Sequence, residues 1–201
     1  MVARQVVLAT HNPGKVREVL EILGAEGAGA VSLVSAGELG VVPPVEDGVT
    51  FQQNALIKAR AASQATGLAA LAEDSGLCVG VLGGAPGVFS ARWAGHHGAD
   101  QANLDLLLAQ LADVPDQHRG AWYECAAALV MPSGEVYQAT GRMAGRLAHA
   151  PRGTGGFGYD PIFVPEDMAV TAAQLSPAQK NAISHRGHAL RQLAPRLALL
   201  A

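Results

Sequence analysis

The chain has 201 residues, 49% of them hydrophobic, a length and composition that suit one domain with a sizeable core. Its formal net charge of −3 gives no general basic field for nucleic acid, and its two cysteines exclude a disulfide framework. The apolar run Val6–Ala9 is too short for a secretory signal, and no uncharged apolar stretch approaches the ~20 residues of a membrane helix, so we expect a cytoplasmic protein.

The first half of the chain predicts strands that alternate with helices. The elements expected there are a strand at 5–9, a helix capped by Asn12 that ends at Gly24, a strand at Ala30–Val34, a helix from Phe51 to Gly67, and strands at 68–72 and 77–82 on either side of a Glu-Asp-Ser-Gly turn.

The second half predicts a meander of strands between helices. The elements expected there are a helix at 101–111, an antiparallel hairpin of 120–131 with 135–143, a further short strand at 145–149, a strand at 162–164, and a helix from about Ser184 that Pro195 kinks or breaks. The mixture indicates an α/β fold with a mixed central sheet and flanking helices.

The first motif is the polar turn between the first strand and the first helix. A helix N-terminus attracts anions, and Thr10, Asn12 and Lys15 can add donors and a charge, while Gly14 lets the backbone approach a ligand. Taken alone, the segment is better explained as an ordinary capped helix with a surface lysine. Lysine is scarce, with only Lys15, Lys58 and Lys180 against eleven arginines, and a compact ammonium group suits a phosphate oxygen.

The second motif is a set of acids from two distant segments. Glu73 and Asp74 follow an apolar strand, where ligands of α/β sheets usually bind, and Glu46 lies in a loop before the Lys58 helix. Acids that converge from different segments make a hard oxygen site suited to Mg²⁺. The alternative is that these acids are turn residues.

The third motif is the glycine-rich stretch Gly153–Asp160. Phe157 stands among the glycines and is followed by Gly158, Tyr159 and Asp160, so its ring could stack on a flat ligand. In the alternative, the aromatic rings pack into the core. A fourth motif places Lys180, Ser184, His185 and Arg186 near a helix start, a donor-rich patch that suits a ligand with acceptors.

Together these segments resemble the inosine triphosphate pyrophosphatases, or Ham1-like proteins, in their bacterial dITP/XTP pyrophosphatase branch. The resemblance runs through six segments in order: LATHNPGKVREV, FQQNALIKAR, EDSGL, LGGAPGVFSARWAG, GTGGFGYDPIF and AISHRG. It implies a single domain over residues 1–201, with two lobes, the active site in the cleft between them, and a homodimer. The activity that it implies is the Mg²⁺-dependent hydrolysis of ITP, dITP and XTP to the monophosphate and pyrophosphate.

The resemblance also implies roles for particular residues. Glu46 and Asp74 would hold the metal, and Asp74 would also accept the proton of the attacking water. Glu73 stands where many bacterial members have Asp, which leaves a metal-binding or a supporting role open. Substrate contacts are expected from Thr10, His11, Asn12, Pro13, Gly14, Lys15, Lys58, Ser75, Phe157, Gly158, Tyr159, Asp160, Lys180, His185 and Arg186.

Two other functions stay open at this point. One is a pyrophosphatase for other modified nucleotides on a related fold, and the other is a nucleotide-binding module without catalysis. A P-loop kinase or ATPase is disfavoured, because the turn Thr10–Lys15 has too few residues for a phosphate cradle. Neither a nucleic-acid nor a membrane partner is expected.

Overall fold

The computed structural model describes residues 5–26 and 31–200. The helices and strands in chain order are β1 (Gln5–Leu8), α1 (Pro13–Ala25), β2 (Ser32–Ser35), α2 (Phe51–Thr66), β3 (Ala69–Val79), α3 (Asp100–Gln110), β4 (Gly120–Val130), β5 (Val136–Leu147), β6 (Phe163–Pro165), α4 (Pro177–Ile183) and α5 (His185–Ala198). In these two ranges no helix is both long enough and apolar enough to cross a bilayer.

The strands form one six-stranded sheet in the order β2-β1-β3-β4-β5-β6. β1 pairs in parallel with both β2 and β3, whereas β5 and β6 pair antiparallel. The short turn between β4 and β5 is closed by a hydrogen bond from Met131 N to the Glu135 carbonyl, as predicted for a hairpin. The predicted mixed α/β fold is therefore confirmed.

The chain divides into two compact units, each built from separate segments. The first unit comprises the chain up to Asp74, Cys125–Gly141 and the chain from His185 onward, and the second comprises Ser75–Glu124 and Arg142–Ser184. The strands β3, β4 and β5 each contribute residues to both units. The expectation that residues 1–201 act as a single domain stays a prediction.

The core of the first unit joins its two long terminal helices to the parallel part of the sheet. Val19 and Leu23 of α1 and Leu190 and Leu193 of α5 share one apolar cluster with Leu71 of β3, and all five are buried. Burial of each leucine contributes roughly 1.5–3 kcal/mol, so the packing of α1 and α5 holds this unit together.

The core of the second unit contains a buried guanidinium as well as apolar side chains. Tyr123 and Phe163 pack with ring centroids 4.8 Å apart. Arg119 is 1% exposed and donates from Nε and Nη2 to the carbonyls of Leu147 and Ala148, at 2.9 and 3.0 Å. Its Nη1 donates to the Leu111 carbonyl at 2.7 Å. Arg119 thereby ties the end of α3 to the end of β5.

Local sequence explains the helix boundaries near the candidate site. Asn12 caps α1 through its side-chain oxygen, which accepts hydrogen bonds from the backbone N–H groups of Gly14 and Lys15. Thr50 caps α2 by accepting from Gln53 N. Gly67 ends α2 in the left-handed conformation at φ 69°, which glycine adopts without strain.

Several predicted element boundaries differ from the structure. The predicted Glu-Asp-Ser-Gly turn is the middle of β3, because tertiary partners for the buried acids outweigh local turn chemistry. The predicted strand at 145–149 is largely the end of β5. The helix α5 continues through Pro195 to Ala198 without a break. Ala30, the start of one predicted strand, lies outside the described residues, and that strand begins at Ser32.

Candidate active site

The turn between β1 and α1 is organised mainly by its own side chains. The Thr10 hydroxyl accepts from Asn12 N at 3.2 Å, and Asn12 Oδ1 accepts from Gly14 N at 2.8 Å and from Lys15 N at 3.2 Å. His11 Nε2 lies 3.0 Å from the Val41 carbonyl. Two backbone N–H groups that we expected to face a ligand are therefore already bonded to Asn12. The charge available to an anion comes from the Lys15 ammonium and from the helix dipole.

Glu73 and Asp74 lie side by side in β3 and contact different helices. Glu73 Oε1 lies 2.9 Å from Lys15 Nζ of α1 and 3.3 Å from Arg186 Nη2 of α5. Asp74 contacts α2 instead, where Lys58 Nζ lies 3.1 Å from its Oδ1. This follows from the pleat of a strand, in which successive side chains point to opposite faces.

Glu73 is the acceptor at the centre of a buried ionic cluster. It is 5% exposed, and besides Lys15 and Arg186 it has the Cys125 thiol 3.7 Å from Oε2. Burial alone would raise the pKa of Glu73, but attraction to Arg186, Lys15 and Lys58 outweighs burial and holds that pKa well below its usual range. Glu73 is therefore an ionised carboxylate with three donors, an arrangement that suits a supporting role.

Arg186 is held by two carboxylates. Its Nη1 donates to Glu18 of α1 and its Nη2 to Glu73, and the guanidinium side chain is 2% exposed. Burial would lower the pKa of Arg186, but Glu73 and Glu18 raise it above the usual range, so the group stays charged. His185, the neighbouring predicted contact, is 5% exposed at the start of α5.

Gly141 allows the first turn of α5 to approach β5 closely. A β-carbon at position 141 would lie 2.1 Å from the His185 carbonyl oxygen and 2.6 Å from Ala189 N, both far inside contact distance. Only glycine fits this position without displacement of the helix. The position of His185 and Arg186 thus depends on a residue that carries no functional group.

Lys58 joins the two acids that the sequence predicts as metal ligands. Its Nζ lies 3.2 Å from Glu46 Oε2 and 3.1 Å from Asp74 Oδ1, so the two carboxylates converge on one nitrogen. Burial would lower the pKa of Lys58, but attraction to Asp74, Glu73 and Glu46 raises it. The Glu46 side chain is 32% exposed and that of Asp74 is 12% exposed, so Glu46 is the more solvent-accessible of the two acids.

Asp74 combines burial with mixed charges. Burial is the largest influence and raises the pKa of Asp74. The positive charges of Lys58 and Lys15 lower this pKa, and the negative charges of Glu46 and Glu73 raise it. The net result is a pKa above the usual value for aspartate. Its Oδ2 accepts from Asn54 Nδ2 at 3.2 Å. A carboxylate with a raised pKa is a better proton acceptor than an ordinary aspartate.

The acids suit a hard divalent cation bound together with phosphate oxygens. Within the described residues no three His, Cys, Asp or Glu side chains converge on one metal position. Mg²⁺ commonly takes one or two carboxylates and completes its coordination with water and substrate phosphates. Glu46 and Asp74, which already share one cationic neighbour in Lys58, are a donor set of that kind.

The glycine-rich segment lies in the second unit and is fixed by Asp160. Asp160 Oδ2 accepts from Phe157 N at 3.0 Å and from Lys180 Nζ at 2.6 Å, and both Asp160 and Lys180 are buried. Lys180 Nζ also lies 5.0 Å from the centroid of the Phe157 ring, which is 37% exposed. The side chain of Phe157 is thus partly accessible to solvent, while its backbone N–H is held by Asp160. Gly156, at φ 70°, leaves room for the Asp160 carboxylate, which a β-carbon there would meet at 2.0 Å.

The two aromatic residues of this segment have different surroundings. Tyr159 is 4% exposed and its hydroxyl donates to the Ser90 carbonyl at 2.9 Å, so its ring belongs to the core of the second unit. Gly158 N donates to Asp100 of α3 at 3.1 Å. Of the two rings, that of Phe157 is the one placed for stacking. Ser75, half-buried, directly follows Asp74 in β3.

Sequence reasoning missed three residues that contact the predicted site. Asn54 donates to Asp74, Glu18 accepts from Arg186, and Asp100 accepts from Gly158 N. Asn54 had a detectable signal, because it lies four residues before Lys58 on the same face of α2. Glu18 and Asp100 look like ordinary helix-surface acids in the sequence.

Fold and site together define a mixed α/β protein whose acid–lysine cluster suits an anionic, metal-bound ligand. The model of the Ham1 family matches residues 6–196, and the chain belongs to that family.

Its relatives are similar over nearly the whole chain. A Streptomyces coelicolor protein named dITP/XTP pyrophosphatase is 58% identical over 95% of this chain and 96% of its own length. A Mycobacterium tuberculosis protein of the same name is 54% identical over 98% of this chain and 97% of its own length. A solved HAM1 protein from Coxiella burnetii superposes with a TM-score of 0.87 at 41% identity, covering 98% of this chain and 99% of that one. The predicted family is confirmed.

Proposed function

We propose that this chain hydrolyses the non-canonical purine nucleotides ITP, dITP and XTP to the nucleoside monophosphate and pyrophosphate, and so removes deaminated purines from the nucleotide pool. The observation that carries the proposal is the convergence of Glu46 and Asp74 on Lys58, in a chain whose relatives are named dITP/XTP pyrophosphatases. A buried acid with a raised pKa next to a second acid and a lysine suits metal-assisted hydrolysis of a phosphoanhydride.

Glu46 and Asp74 are the residues that would hold Mg²⁺. When bound, the ion neutralises charge on the phosphate oxygens and polarises the phosphorus that is attacked. The two acids lie in a loop and in a buried strand, so one ligand is fixed by the sheet and the other belongs to a more exposed segment. Glu73, with three donors of its own, supports Lys15 and Arg186.

Asp74 is the proposed proton acceptor. It takes a proton from a water whose oxygen attacks the α-phosphorus in line with the bridging oxygen to the β-phosphorus. The bond from the α-phosphorus to that oxygen breaks, and pyrophosphate leaves with it. Lys15 and Lys58 offset the negative charge that develops on the leaving group, and we assign Lys180 the same task when substrate is bound.

Base recognition is proposed to combine stacking with donors. The partly exposed ring of Phe157 would stack on the purine. Arg186, with His185 or backbone N–H groups, would donate to the 6-oxo oxygen of hypoxanthine or xanthine. Adenine presents an amino group there, which leaves buried donors unpaired, and rejection of this kind reaches ~10⁴-fold.

A turnover panel tests the function. ITP, XTP, GTP and ATP are each incubated with the chain, with and without Mg²⁺, and pyrophosphate release is measured. We expect release from ITP and XTP with Mg²⁺ and far less from ATP. Binding of ITP without release would instead indicate a binding module, and preference for a modified pyrimidine triphosphate would indicate a different pyrophosphatase.

The proposed assembly is a homodimer of single-domain subunits in the cytoplasm, without a nucleic-acid or membrane partner. Val42, Val45 and Val49, which flank Glu46, are 81%, 81% and 78% exposed, and a second copy of the chain would cover such apolar surface. Light scattering coupled to size exclusion measures the mass directly, and a monomer at micromolar concentration would contradict this assignment.

A further inference from the structure

We propose that Asn54 is a positioning residue that fixes the carboxylate of Asp74. The inference rests on the proposed function of Asp74 as metal ligand and proton acceptor. Asn54 is 2% exposed and lies at the end of the first turn of α2. A residue with this role touches neither substrate nor metal and acts only through Asp74.

The helix α2 holds both carboxylate oxygens of Asp74. Asn54 Nδ2 lies 3.2 Å from Oδ2, and Lys58 Nζ lies 3.1 Å from Oδ1. Asn54 and Lys58 are four residues apart, so their side chains project from the same face of the helix. With one donor on each oxygen, rotation of the carboxylate about its terminal bond breaks at least one hydrogen bond. The carboxylate plane is therefore set by the helix.

The contact with Asp74 also determines the orientation of the Asn54 amide. Its NH₂ group must face Asp74, because the amide oxygen would repel a carboxylate. That orientation leaves Asn54 Oδ1 buried without a hydrogen-bond partner in the described contacts. A β-carbon at Gly48 would lie 2.5 Å from this oxygen, so the glycine backbone packs directly against it. An unpaired buried acceptor is unfavourable for folding. The hydrogen bond that Asn54 donates to Asp74 explains why the side chain is kept in this unfavourable position.

Asn103 offers a matched comparison in the second unit. It is also a buried asparagine, 1% exposed, but its Oδ1 accepts from Ala94 N at 2.7 Å, and among the described hydrogen bonds none joins its side chain to a proposed site residue. Its role is to stabilise a backbone turn. Both asparagines are buried, but Asn54 bonds to the carboxylate of Asp74, whereas Asn103 bonds to the backbone of Ala94.

The experiment compares Asn54→Ala, Asn54→Asp and Asn103→Ala in the full chain. Three quantities are measured: kcat and KM for ITP with Mg²⁺, the Kd for Mn²⁺ alone by electron paramagnetic resonance, and the thermal midpoint. For Asn54→Ala we expect kcat to fall about 10- to 100-fold with little change in KM, and Mn²⁺ affinity to fall by a similar factor. For Asn54→Asp we expect kcat to fall as well while Mn²⁺ binds more tightly, because a further carboxylate joins the site.

The Asn103→Ala control separates a loss of stability from a loss of Asp74 positioning. Asn103→Ala should lower the thermal midpoint and leave kcat and Mn²⁺ affinity at wild-type values. If Asn54→Ala behaves in the same way as Asn103→Ala, the positioning role is wrong and Asn54 is structural. If wild-type chain releases no pyrophosphate from ITP, the proposed function fails, and Mn²⁺ affinities still decide whether Asn54 orients Asp74.

Discussion

Glu73 and Asp74 are consecutive residues of β3, yet Glu73 binds Lys15 and Arg186 while Asp74 binds Asn54 and Lys58. Glu73 therefore supports Lys15 and Arg186, the donors expected around the substrate, and Asp74 is the proposed general base. The pleat of the strand separates the two tasks.

Replacement of Asp74 by Asn should abolish turnover of ITP while nucleotide still binds. The amide keeps the shape but cannot accept the proton of water, and loss of a general base lowers rates by about 10²- to 10⁴-fold. Steady-state pyrophosphate release and ITP binding by calorimetry measure the two effects. Asp113→Asn, at an exposed site, serves as the control. Near-normal turnover of Asp74→Asn would remove Asp74 as the base.

Replacement of Arg186 should narrow the preference for ITP over ATP, because a donor to the 6-oxo oxygen is lost. Arg186→Ala also leaves Glu18 and Glu73 without their shared partner, and such a loss can destabilise a fold by about 3–5 kcal/mol. Arg186→Lys keeps the charge and is measured alongside. The ITP to ATP ratio of kcat/KM within each sample is independent of how much protein is folded. An unchanged ratio in both variants would refute the donor role.

Replacement of Phe157 by Leu should raise KM for ITP with a smaller effect on kcat. Base stacking on an aromatic ring contributes about 1–3 kcal/mol, which corresponds to a rise of roughly 5- to 160-fold. Phe89→Leu is the matched control, because Phe89 is also an exposed ring, 53% exposed, in the same unit. Equal KM values for the two variants would argue against stacking at Phe157.

Replacement of Arg119 by Met should destabilise the protein without a specific effect on catalysis. The buried guanidinium donates to several backbone carbonyls, and their loss should lower the free energy of unfolding by at least about 3 kcal/mol. Urea denaturation measures this change, with the exposed Arg146→Met as the control. A midpoint like that of Arg146→Met would show that the carbonyls find other donors.

Stability should decline at alkaline pH through the two buried thiols. Burial raises the pKa of Cys78 to about 11, and burial together with Glu73 raises the pKa of Cys125 well above its usual value. Below the pKa of an unfolded thiol, about 8.5, both states are protonated and the contribution to stability is complete. As pH rises toward 11 only the unfolded state loses its proton, so the free energy of unfolding falls, by roughly 2–3 kcal/mol for Cys78.

Cys78→Ala isolates this effect. Urea midpoints at pH 8 and pH 10.5 give the pH dependence of wild type and variant, and the variant should show the shallower decline. Other groups titrate in the same range, but they contribute equally to both proteins. Alkylation of native Cys78 by iodoacetamide at pH 8.5 should be far slower than that of unfolded chain, and equal rates would contradict a raised pKa.

The sequence predicts this fold well where local signals and tertiary contacts agree. The predicted cap at Asn12 and the predicted start and end of the second helix near Phe51 and Gly67 are in place, because Asn12, Thr50 and Gly67 act on their own helix ends. The turn predicted at Glu73–Gly76 fails because its chemistry is local, whereas Lys15, Arg186 and Lys58 come from distant segments.

The candidate site shows the same division. Its charged residues could be found from motifs, and the structure brings Glu46, Lys58 and Asp74 together. The partner Glu18 could not be found, since a hydrogen bond between two distant helices leaves no pattern in neighbouring residues, whereas the position of Asn54 four residues before Lys58 on α2 was a signal in the sequence.

The packing of α5 against α1 has a consequence for how the protein is made. The partners of Glu73 include Arg186, and the apolar cluster of the first unit includes Leu190, Leu193 and Leu197 from α5. A nascent chain on the ribosome therefore cannot close this core until α5 has been synthesised. A stop codon after Ser184 would leave the α1 face uncovered, and we expect such a truncated product to be degraded rather than to retain partial activity.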